Sequence, residues 1–406
     1  MTEFRIRIVP SIADIPAATW DACANPQVVK ANCEASHVLP EQDSTAPFNP
    51  FVSHGFLSAL EDSKSAIART GWAPQHLLLE ADDGALLGAV PCYLKSHSQG
   101  EYVFDHGWAE AYERAGGRYY PKLQVSVPFT PATGPRLLAR PGPGAAAVRQ
   151  ALAKGLLALC GQRGASSVHA TFLLEPDRDL LAETGFLKRM DRQFHWRNAG
   201  YGTFEDFLAA LASRKRKLIR RERKEALANG ISIHWLTSAD LTEDVWDAFF
   251  QFYMETGSRK WGRPYLTRAF YSLVGERIPQ DILLVMARRA GRWIAGAINF
   301  IGGDTLYGRH WGAIEHHPFL HFEVCYYQAI EYAIARKLAR VEAGAQGEHK
   351  LARGYLPVST WSAHYLADPG LRRAVADYLQ RERSYVAAEQ SELAAYAPFR
   401  KTAEQD

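Results

Sequence analysis

The sequence predicts an α/β protein with mixed sheets, in which two domains follow one another along the chain. Its 406 residues are too many for one ordinary hydrophobic core and suit two domains of roughly 200 residues each. A strand–turn–strand pattern occurs once in each half, and a similar order of strands and helices follows it. Repeats of this length indicate two α/β domains and not a solenoid. We place the boundary near Gly200–Gly202, which gives an N-terminal domain over 1–200 and a C-terminal domain over 201–406.

In the N-terminal half, residues 4–9 are typical of a strand, and the polar, proline-rich residues 24–49 are expected to form a loop. His76–Glu80 and Leu86–Leu94 flank the turn residues Asp82-Asp-Gly84, which predicts a hairpin. The other elements of this half are expected near residues 51–60 (helix), 135–138 (strand), 144–160 (long helix), 167–173 (strand), 180–184 (short helix) and 190–196 (strand).

The C-terminal half repeats this pattern. Ile282–Ala287 and Trp293–Ile301 flank a turn at Gly291, which predicts a second hairpin. Before it, residues 203–229 begin with a threonine that can cap a helix and end at Asn-Gly, so a helix or a close helix pair is expected. The remaining elements are expected near residues 305–312 (strand), 319–338 (long helix), 340–343 (strand), 350–354 (short helix) and 358–366 (strand).

The composition is that of a globular protein, with 47% hydrophobic and 22% charged residues. The N-terminus carries charges where a signal peptide needs an apolar run, and no stretch approaches the roughly 18 apolar residues of a membrane span. We therefore expect a cytoplasmic protein without a transmembrane segment. The five cysteines are scattered and form no Cys-x-x-Cys pair, so neither a disulfide framework nor a zinc–thiolate site is indicated.

The strongest concentration of charge lies on the helix predicted over 203–229. Eight of the eleven residues from Arg214 to Lys224 are basic, and Leu218 and Ile219 would anchor the helix. Clustered lysines and arginines attract phosphates, so this face could bind tRNA, a nucleotide-linked substrate or a carrier's phosphopantetheine. A merely solvated face is the alternative. The candidate donor phosphate-binding residues are Arg214, Lys215, Arg216, Lys217, Arg220 and Arg221.

A second group of titratable and aromatic residues lies between 95 and 134, among glycines and prolines that shape loops. Such loops suit a substrate cleft, and a polar edge strand is the alternative. Asp105 and His106 could orient or deprotonate an amine, although neighbouring residues of a strand point to opposite faces and need not act together. The candidate substrate-binding residues of this group are Glu101, Tyr119, Tyr120 and Lys122.

A third group, Gly344–Tyr355, follows the strand predicted over 340–343. Because ligands of open α/β sheets gather at the carboxyl ends of strands, Glu348, His349 and Lys350 are candidate catalytic residues. Lys350 could stabilise the oxyanion of a tetrahedral intermediate, whereas a surface turn is the alternative. Arg309 and His310, in the preceding strand, are further candidates for binding substrate.

Several other kinds of site are not expected. The histidines between 310 and 321 could suggest a metal, but Pro318 interrupts the helix spacing and no His-Glu-x-x-His pattern is present. The sequence also has no Gly-x-Ser-x-Gly elbow, no phosphate loop ending in Gly-Lys-Ser/Thr, and no strand-linked Gly-x-Gly-x-x-Gly. Serine hydrolases, nucleotidases and dinucleotide oxidoreductases are therefore disfavoured.

Together, the motifs resemble the FemAB-like branch of the GNAT acyltransferase superfamily over nearly the whole chain. The residues that carry this resemblance are Asn49-Pro-Phe51 with His54, Lys95-Ser-His-Ser through Asp105-His106, Tyr119-Tyr-Pro-Lys122, Ser213-Arg-Lys-Arg-Lys, and Gly344 to Gly354.

The resemblance implies two tandem GNAT-like domains and an acyl or aminoacyl transferase. The better-known Fem transferases use aminoacyl-tRNA to extend peptidoglycan precursor peptides, with a lysine shortly before a Gly-aromatic pair implicated in transfer. Here Lys350 before Gly354-Tyr355 matches that pattern, and the acceptor would lie near residues 105–122. The segment 203–229 is too short for the coiled-coil arm of some Fem enzymes, and the pyrophosphate loop of acetyl-CoA-dependent relatives is not matched.

We therefore expect transfer of an acyl or aminoacyl group from a phosphate-bearing donor to the amine of a small molecule or peptide. No tightly bound cofactor is expected; the donor co-substrate would be aminoacyl-tRNA or acyl-CoA. One alternative is an N-acyltransferase that uses acyl-CoA or docks an acyl carrier protein. Another is a recognition protein that keeps the GNAT fold without turnover.

Overall fold

The computed structural model describes residues 4–26, 47–261, 264–344 and 347–400. Its contacts divide the chain into two compact units. Unit 1 comprises residues 1–191 and 360–386, and unit 2 comprises residues 192–359 and 387–406. Each unit has its own strands and its own hydrophobic core. Most of the loop expected over 24–49 lies outside the described residues.

Unit 1 contains a four-stranded antiparallel sheet. Its order is β1 (Arg5–Val9), β3 (His76–Glu80), β4 (Leu86–Val90) and β7 (Leu138–Ala139). The hairpin predicted over 76–94 is confirmed, but its second strand is shorter than expected. It ends before Pro91, which has no N–H to donate to a strand ladder. The chain then continues as β5 (Cys92–Lys95), which pairs with different strands.

These strands form a second group within unit 1. Its order is β2 (Trp72–Pro74), β5, β6 (Lys122–Val125), β8 (Ser167–Leu173) and the last residues of β15 (Leu356–Leu366). Lys95 pairs with Lys122, Gln124 pairs with His169, and His169 pairs with His364. Because side chains alternate along a strand, these residues project from one face of the sheet. That face is polar and almost fully buried.

The helices of unit 1 cover its sheets. Their bounds are α1 (Ala17–Ala24), α2 (His54–Asp62), α3 (His106–Arg114), α4 (Ala145–Gln162), α5 (Glu175–Glu183) and the first part of α11 (Pro369–Ala395). The helices predicted near 51–60, 144–160 and 180–184 are confirmed with shifted ends. Helix α4 buries Leu152 and Leu156 in the same core as Leu77 and Val90.

Unit 2 contains a mixed sheet that includes the second predicted hairpin. Its order is β10 (Ser232–Leu236), β11 (Ile282–Arg289), β12 (Arg292–Ile301), β13 (Thr305–Ala313), β14 (Arg340–Glu342) and the end of β9 (Leu187–Arg197). Strands β13 and β14 are parallel, and the other neighbours are antiparallel. The hairpin prediction over 282–301 is confirmed.

Further helices accompany this sheet, and a short turn follows β14. They are α6 (Phe204–Ala210), α7 (Ser213–Ala226), α8 (Glu243–Trp261), α9 (Arg268–Arg277), the continuous helix α10 (Leu320–Phe322, a π turn at Glu323–Tyr327, then Gln328–Ala335), the end of α11, and the 3-10 turn Glu348–Arg353. Within the described residues, no helix has the length and apolar character needed to cross a membrane.

The segment predicted to be helical over 203–229 is a pair of helices, α6 and α7. Thr203 caps α6 by accepting a hydrogen bond from the backbone N–H of Asp206. The two helices separate at Leu211, whose backbone is extended and forms an antiparallel bridge with Phe399. Ile219 is buried as expected, and Leu218 is half-buried.

Gly354, which ends the 3-10 turn, provides a test of this packing. Its φ of 90° is in the left-handed region, and a Cβ there would lie 2.9 Å from the Phe207 ring. At Gly230, φ is 71° but a Cβ would meet nothing within 4 Å. Both alanine variants incur a backbone cost of about 1–2 kcal/mol. Gly354→Ala should lose about 1–3 kcal/mol more in urea denaturation, because the ring must move. Equal decreases in the free energy of unfolding of the two variants would show that the Phe207 ring moves aside without cost.

Candidate functional site

A buried network of charges in unit 1 centres on Lys122, which is fully buried. Its Nζ donates to Ser98 Oγ at 2.7 Å, to Glu101 Oε2 at 2.7 Å and to Asp105 Oδ2 at 2.5 Å. Lys95 Nζ lies 3.8 Å from Glu101 Oε1. Two lysines and two carboxylates therefore balance one another away from water, as buried charges must.

Burial and charge pairing act against each other in this network. Burial raises the pKa of Glu101 to about 7, although Lys122 opposes the shift. Burial would also raise the pKa of Asp105, but the Lys122 ammonium outweighs it and holds that pKa well below its usual range. Burial opposes the charge of Lys122, yet the two carboxylates raise its pKa. Lys122 and Asp105 are thus ionised at neutral pH.

Aromatic and imidazole side chains extend the network. The Tyr119 hydroxyl donates to Asp105 Oδ2 at 2.7 Å and lies 3.2 Å from His169 Nε2. His169 Nδ1 lies 2.7 Å from His364 Nδ1, so the N–H of one ring donates a hydrogen bond to the bare nitrogen of the other. Burial lowers the pKa of His169 to about 3 and that of His364 well below its usual value, which keeps both rings neutral. Neither histidine was a sequence candidate.

The structure brings four of the candidates from this region together and separates a fifth from them. Glu101, Asp105, Tyr119 and Lys122 share the network, whereas His106 is exposed and stacks on Phe104 with ring centroids 6.1 Å apart. Asp105 and His106 begin a helix and do not lie in an edge strand. Tyr120 is half-buried, and its hydroxyl lies 2.8 Å from the Ser98 hydroxyl.

In unit 2, Lys350 lies on the 3-10 turn that follows β14 and is only 2% exposed. Its Nζ donates to the Gly344 carbonyl at 3.0 Å. Burial lowers the pKa of Lys350 to about 8. Within the parts of the chain that the structure describes, no carboxylate forms an ion pair with this ammonium. The side chain of Glu348 lies outside the described residues.

His349 precedes Lys350 and has an exposed ring. Its Nε2 lies 2.8 Å from the hydroxyl of Tyr326, which belongs to the π turn of α10. The ring also packs near Phe322, with centroids 5.6 Å apart. Interruptions of α-helical geometry by a π turn often occur at functional sites.

A buried pair at the end of β14 was not expected from the sequence. Glu342 Oε1 lies 3.8 Å from His195 Nδ1, and Gln193 Oε1 lies 3.1 Å from His195 Nε2. Burial raises the pKa of Glu342 to about 7 and lowers that of His195 to about 3, so the pair is close to neutral. The available signal was a glutamate inside the strand predicted over 340–343, since glutamate is rarely buried without a reason.

The two candidates on β13 point in different directions. Arg309 is half-buried, and its charge acts on Glu342 by lowering that pKa against the effect of burial. His310 packs on Tyr253, with ring centroids 5.1 Å apart, and burial lowers its pKa to about 3.

Two further histidines of the 310–321 region, His317 and His321, have other partners. His317 Nε2 lies 2.9 Å from Glu315 Oε2, and His321 packs on Trp311. Among the described residues, no group of three or more His, Cys, Asp or Glu is placed to hold a metal ion.

Helix α7 has one buried and one charged face. Ile219, Glu222 and Ala226 are buried. Arg220 pairs with Glu205 at 2.5 Å, and Arg221 lies 3.6 Å from Glu225. The first turns of α7 carry four cations that form no ion pair within the described residues: Arg214, Lys215, Arg216 and Lys217. Of the six candidates, four are exposed and two, Lys215 and Arg216, are half-buried; the exposed ones are Arg214, Lys217, Arg220 and Arg221.

The start of α7 adds to this positive field. The N-cap residue, Ala212, has no side-chain acceptor for the first N–H groups of the helix. The amino end of a helix carries a partial positive charge that favours anions. The four cations of the first turns, beside such an end, form a surface suited to phosphates.

The mixed sheets and the helices confirm the predicted α/β fold class. A protein-family model for FemAB-like proteins of peptidoglycan biosynthesis/recognition matches residues 11–401. The chain belongs to the FemAB-like family, as its motifs indicated. No curated protein matches the chain.

Solved structures share the fold at low sequence identity. FemX matches with a TM-score of 0.50 and 11% identity over 79% of this chain and 94% of its own. A C-terminal DUF2156 domain from Agrobacterium fabrum matches with a TM-score of 0.50 and 8% identity, over 82% of this chain and 92% of its own. A tandem GNAT protein from the clavulanic acid biosynthesis pathway matches with a TM-score of 0.44 and 14% identity, over 90% of this chain and 99% of its own. For the first two structures, a likeness at these identities shows the fold alone.

The network in unit 1 predicts how Lys122 contributes to stability. Lys122→Met leaves two carboxylates buried without their cation and should lower the free energy of unfolding by about 3–5 kcal/mol at pH 7. Without the cation, the pKa of Asp105 rises from its depressed value and that of Glu101 rises above about 7, so the folded variant binds more protons than folded wild type between pH 7 and 5. The deficit relative to wild type should therefore be smaller at pH 5.

Urea denaturation at the two pH values measures this effect. Lys154→Met, which changes an exposed lysine of α4 in the same unit, is the matched control and should stay near wild type. A Lys122→Met deficit that is equal or larger at pH 5 contradicts the assigned pairing.

Proposed function

We propose that the protein transfers an acyl or aminoacyl group from an anionic donor to an amine, with Lys350 at the reacting carbonyl. The observation that carries this proposal is the burial of the Lys350 ammonium beside a backbone carbonyl, at the carboxyl end of β14. Membership of the FemAB-like family supports the reaction class.

The chemistry of acyl transfer suits such a lysine. When an amine attacks a carbonyl, negative charge develops on the carbonyl oxygen, and a cation fixed nearby stabilises it strongly where water is scarce. The ammonium of Lys350 is already stripped of most of its water, so little solvent must reorganise during the reaction. With a pKa of about 8, it is mostly charged at pH 7.

The attacking amine must also lose a proton, which can pass to the donor oxygen or sulfur that leaves when the tetrahedral intermediate collapses. His349 is proposed for this step because it neighbours Lys350 on the turn and its imidazole ring is exposed. Glu348 stays a second candidate. Asp105 stays a weaker one, because its carboxylate is already bonded to Lys122 and Tyr119.

The acceptor-binding role of Glu101, Tyr119, Tyr120 and Lys122 stays a prediction. Their charges are paired with one another, and Tyr120 is the half-buried member that an acceptor could reach first.

The donor is proposed to be polyanionic, as aminoacyl-tRNA is. The support is the positive face of α7, whose first turns carry four cations beside a helix start that has no side-chain cap. The same face fits a second candidate, an acyl carrier protein or acyl-CoA, because an acidic carrier surface or a nucleotide phosphate is attracted by the same charges. Competition between deacylated tRNA and an acyl carrier protein for binding separates the two.

Replacing Lys350 tests the proposed chemistry. With labelled aminoacyl-tRNAs and acyl-CoAs as donors, Lys350→Ala should lower kcat about 100-fold or more, because the oxyanion loses its cation. Wild-type kcat should fall as the pH rises through about 8, where Lys350 loses its charge. Lys154→Ala is the control for loss of a lysine. Unchanged rates in Lys350→Ala would remove this residue from the mechanism.

Neutralising the charged face of α7 tests the donor. In Arg214→Ala/Lys217→Ala/Arg221→Ala, the slope of log K against log salt concentration should become shallower by about 0.7–0.9 for each phosphate that the variant no longer neutralises. Fluorescence anisotropy with labelled tRNA measures this slope. The control variant removes three exposed charges of unit 1, at Arg114, Lys154 and Arg163. If both variants weaken binding alike, α7 is not the donor surface.

A further inference from the structure

A buried ion pair joins the basic helix α7 to the turn that carries Lys350. Glu222, on the buried face of α7, is 3% exposed, and Arg353, at the end of the turn, is 5% exposed. Arg353 Nη2 donates to both Glu222 oxygens, at 2.8 and 2.9 Å. Such a pair rarely adds net stability, because removing both charges from water costs about as much as their attraction returns. We therefore expect the Glu222–Arg353 pair to have a role other than stabilising the fold.

The same guanidinium also forms a hydrogen bond with the backbone next to Lys350. Arg353 Nη1 donates to the carbonyl of His349 at 2.7 Å. Its Cζ lies 3.4 Å from the centre of the Phe322 ring, and the Tyr327 hydroxyl donates to Glu222. The pair is thus held by α10 and holds the residue that immediately precedes Lys350.

The turn itself needs such support. It is a 3-10 helix of six residues, and runs of this geometry beyond three or four residues are uncommon because their hydrogen bonds are poor. It lies between Gly347, with φ of 118°, and Gly354, with φ of 90°. Glycines at both ends leave the backbone free to adopt many other conformations. Contacts from outside the turn must therefore select this one.

We propose that Glu222 is a positioning residue, which acts through Arg353 to fix the turn and keep the Lys350 ammonium buried at its place. The importance of that place for transfer rests on the proposed function. Since α7 presents cations on one face and Glu222 on the other, a single rigid helix both attracts the anionic donor and positions Lys350.

The test removes the pair without leaving a lone buried charge. In Glu222→Gln/Arg353→Met, glutamine keeps an oxygen for the Tyr327 hydroxyl and methionine fills the space of the arginine, so the fold should persist. Brief acetic anhydride labelling over a pH series, read by mass spectrometry on the peptide containing Lys350, reports both its accessibility and its pKa.

The expected result is a rate constant for the neutral Lys350 amine, taken from the high-pH plateau of the series, at least about tenfold above wild type, because the released turn opens to water. Its pKa should rise from about 8 towards the ordinary 10.5, since burial is what lowers it. A purely structural loss elsewhere would move neither value. Glu225→Gln, an exposed position on the same helix, is the matched control and should label as wild type does.

Wild-type labelling and an unchanged Lys350 pKa in the folded double variant would overturn the proposal. If circular dichroism shows that this variant does not fold, Arg353→Lys takes its place, because it keeps the charge but loses the two-pronged contact. The labelling rate and the pKa of Lys350 in Arg353→Lys then test the proposal in the same way. Labelling needs neither donor nor acceptor, so a wild-type protein without transfer activity would refute the proposed function and leave this measurement valid.

Discussion

The cost of burying a lysine ammonium shapes both units of this protein. Lys122 is surrounded by two carboxylates and a hydroxyl, so its charge is stabilised and its pKa rises. Lys350 is buried with one carbonyl as its described partner, so desolvation prevails and its pKa falls to about 8. The same type of side chain is thus a firmly charged, paired cation at Lys122 and a cation that loses its proton near pH 8 at Lys350. The difference lies in the partners, since both lysines are almost fully buried.

Helix α7 connects the charged surface to this second lysine. Its buried residues, Ile219, Glu222 and Ala226, recur at three- and four-residue intervals, and exposed cations lie on its other face. Ile219 and Ala226 give the helix its place in the core. Glu222 adds a polar contact to the turn that follows β14. Under the proposals above, a polyanion on the exposed face would contact a helix that Arg353 connects to the backbone beside Lys350.

The carboxyl end of β14 gathers further polar groups whose roles are open to experiment. Glu342 and His195 are buried together with pKa values shifted towards their neutral forms. Gly344, two residues beyond Glu342, supplies the carbonyl that holds Lys350. The transfer reaction proposed above needs proton transfers, and these groups are further candidates for them in unit 2.

The sequence by itself determined the α/β class, both hairpins, the long helices α4 and α10 and the basic face of α7, but it gave no prediction for α8 and α11, which are longer still. These features follow from spacings of two or about 3.6 residues and from turn residues, all set by neighbours along the chain. Only the tertiary structure decided which charges meet. The partners Lys122 with Asp105, Glu222 with Arg353, and Glu342 with His195 depend on strand register and helix packing, which leave no periodic trace. It also decided that Asp105 points inwards while His106 does not, because a helix begins between them.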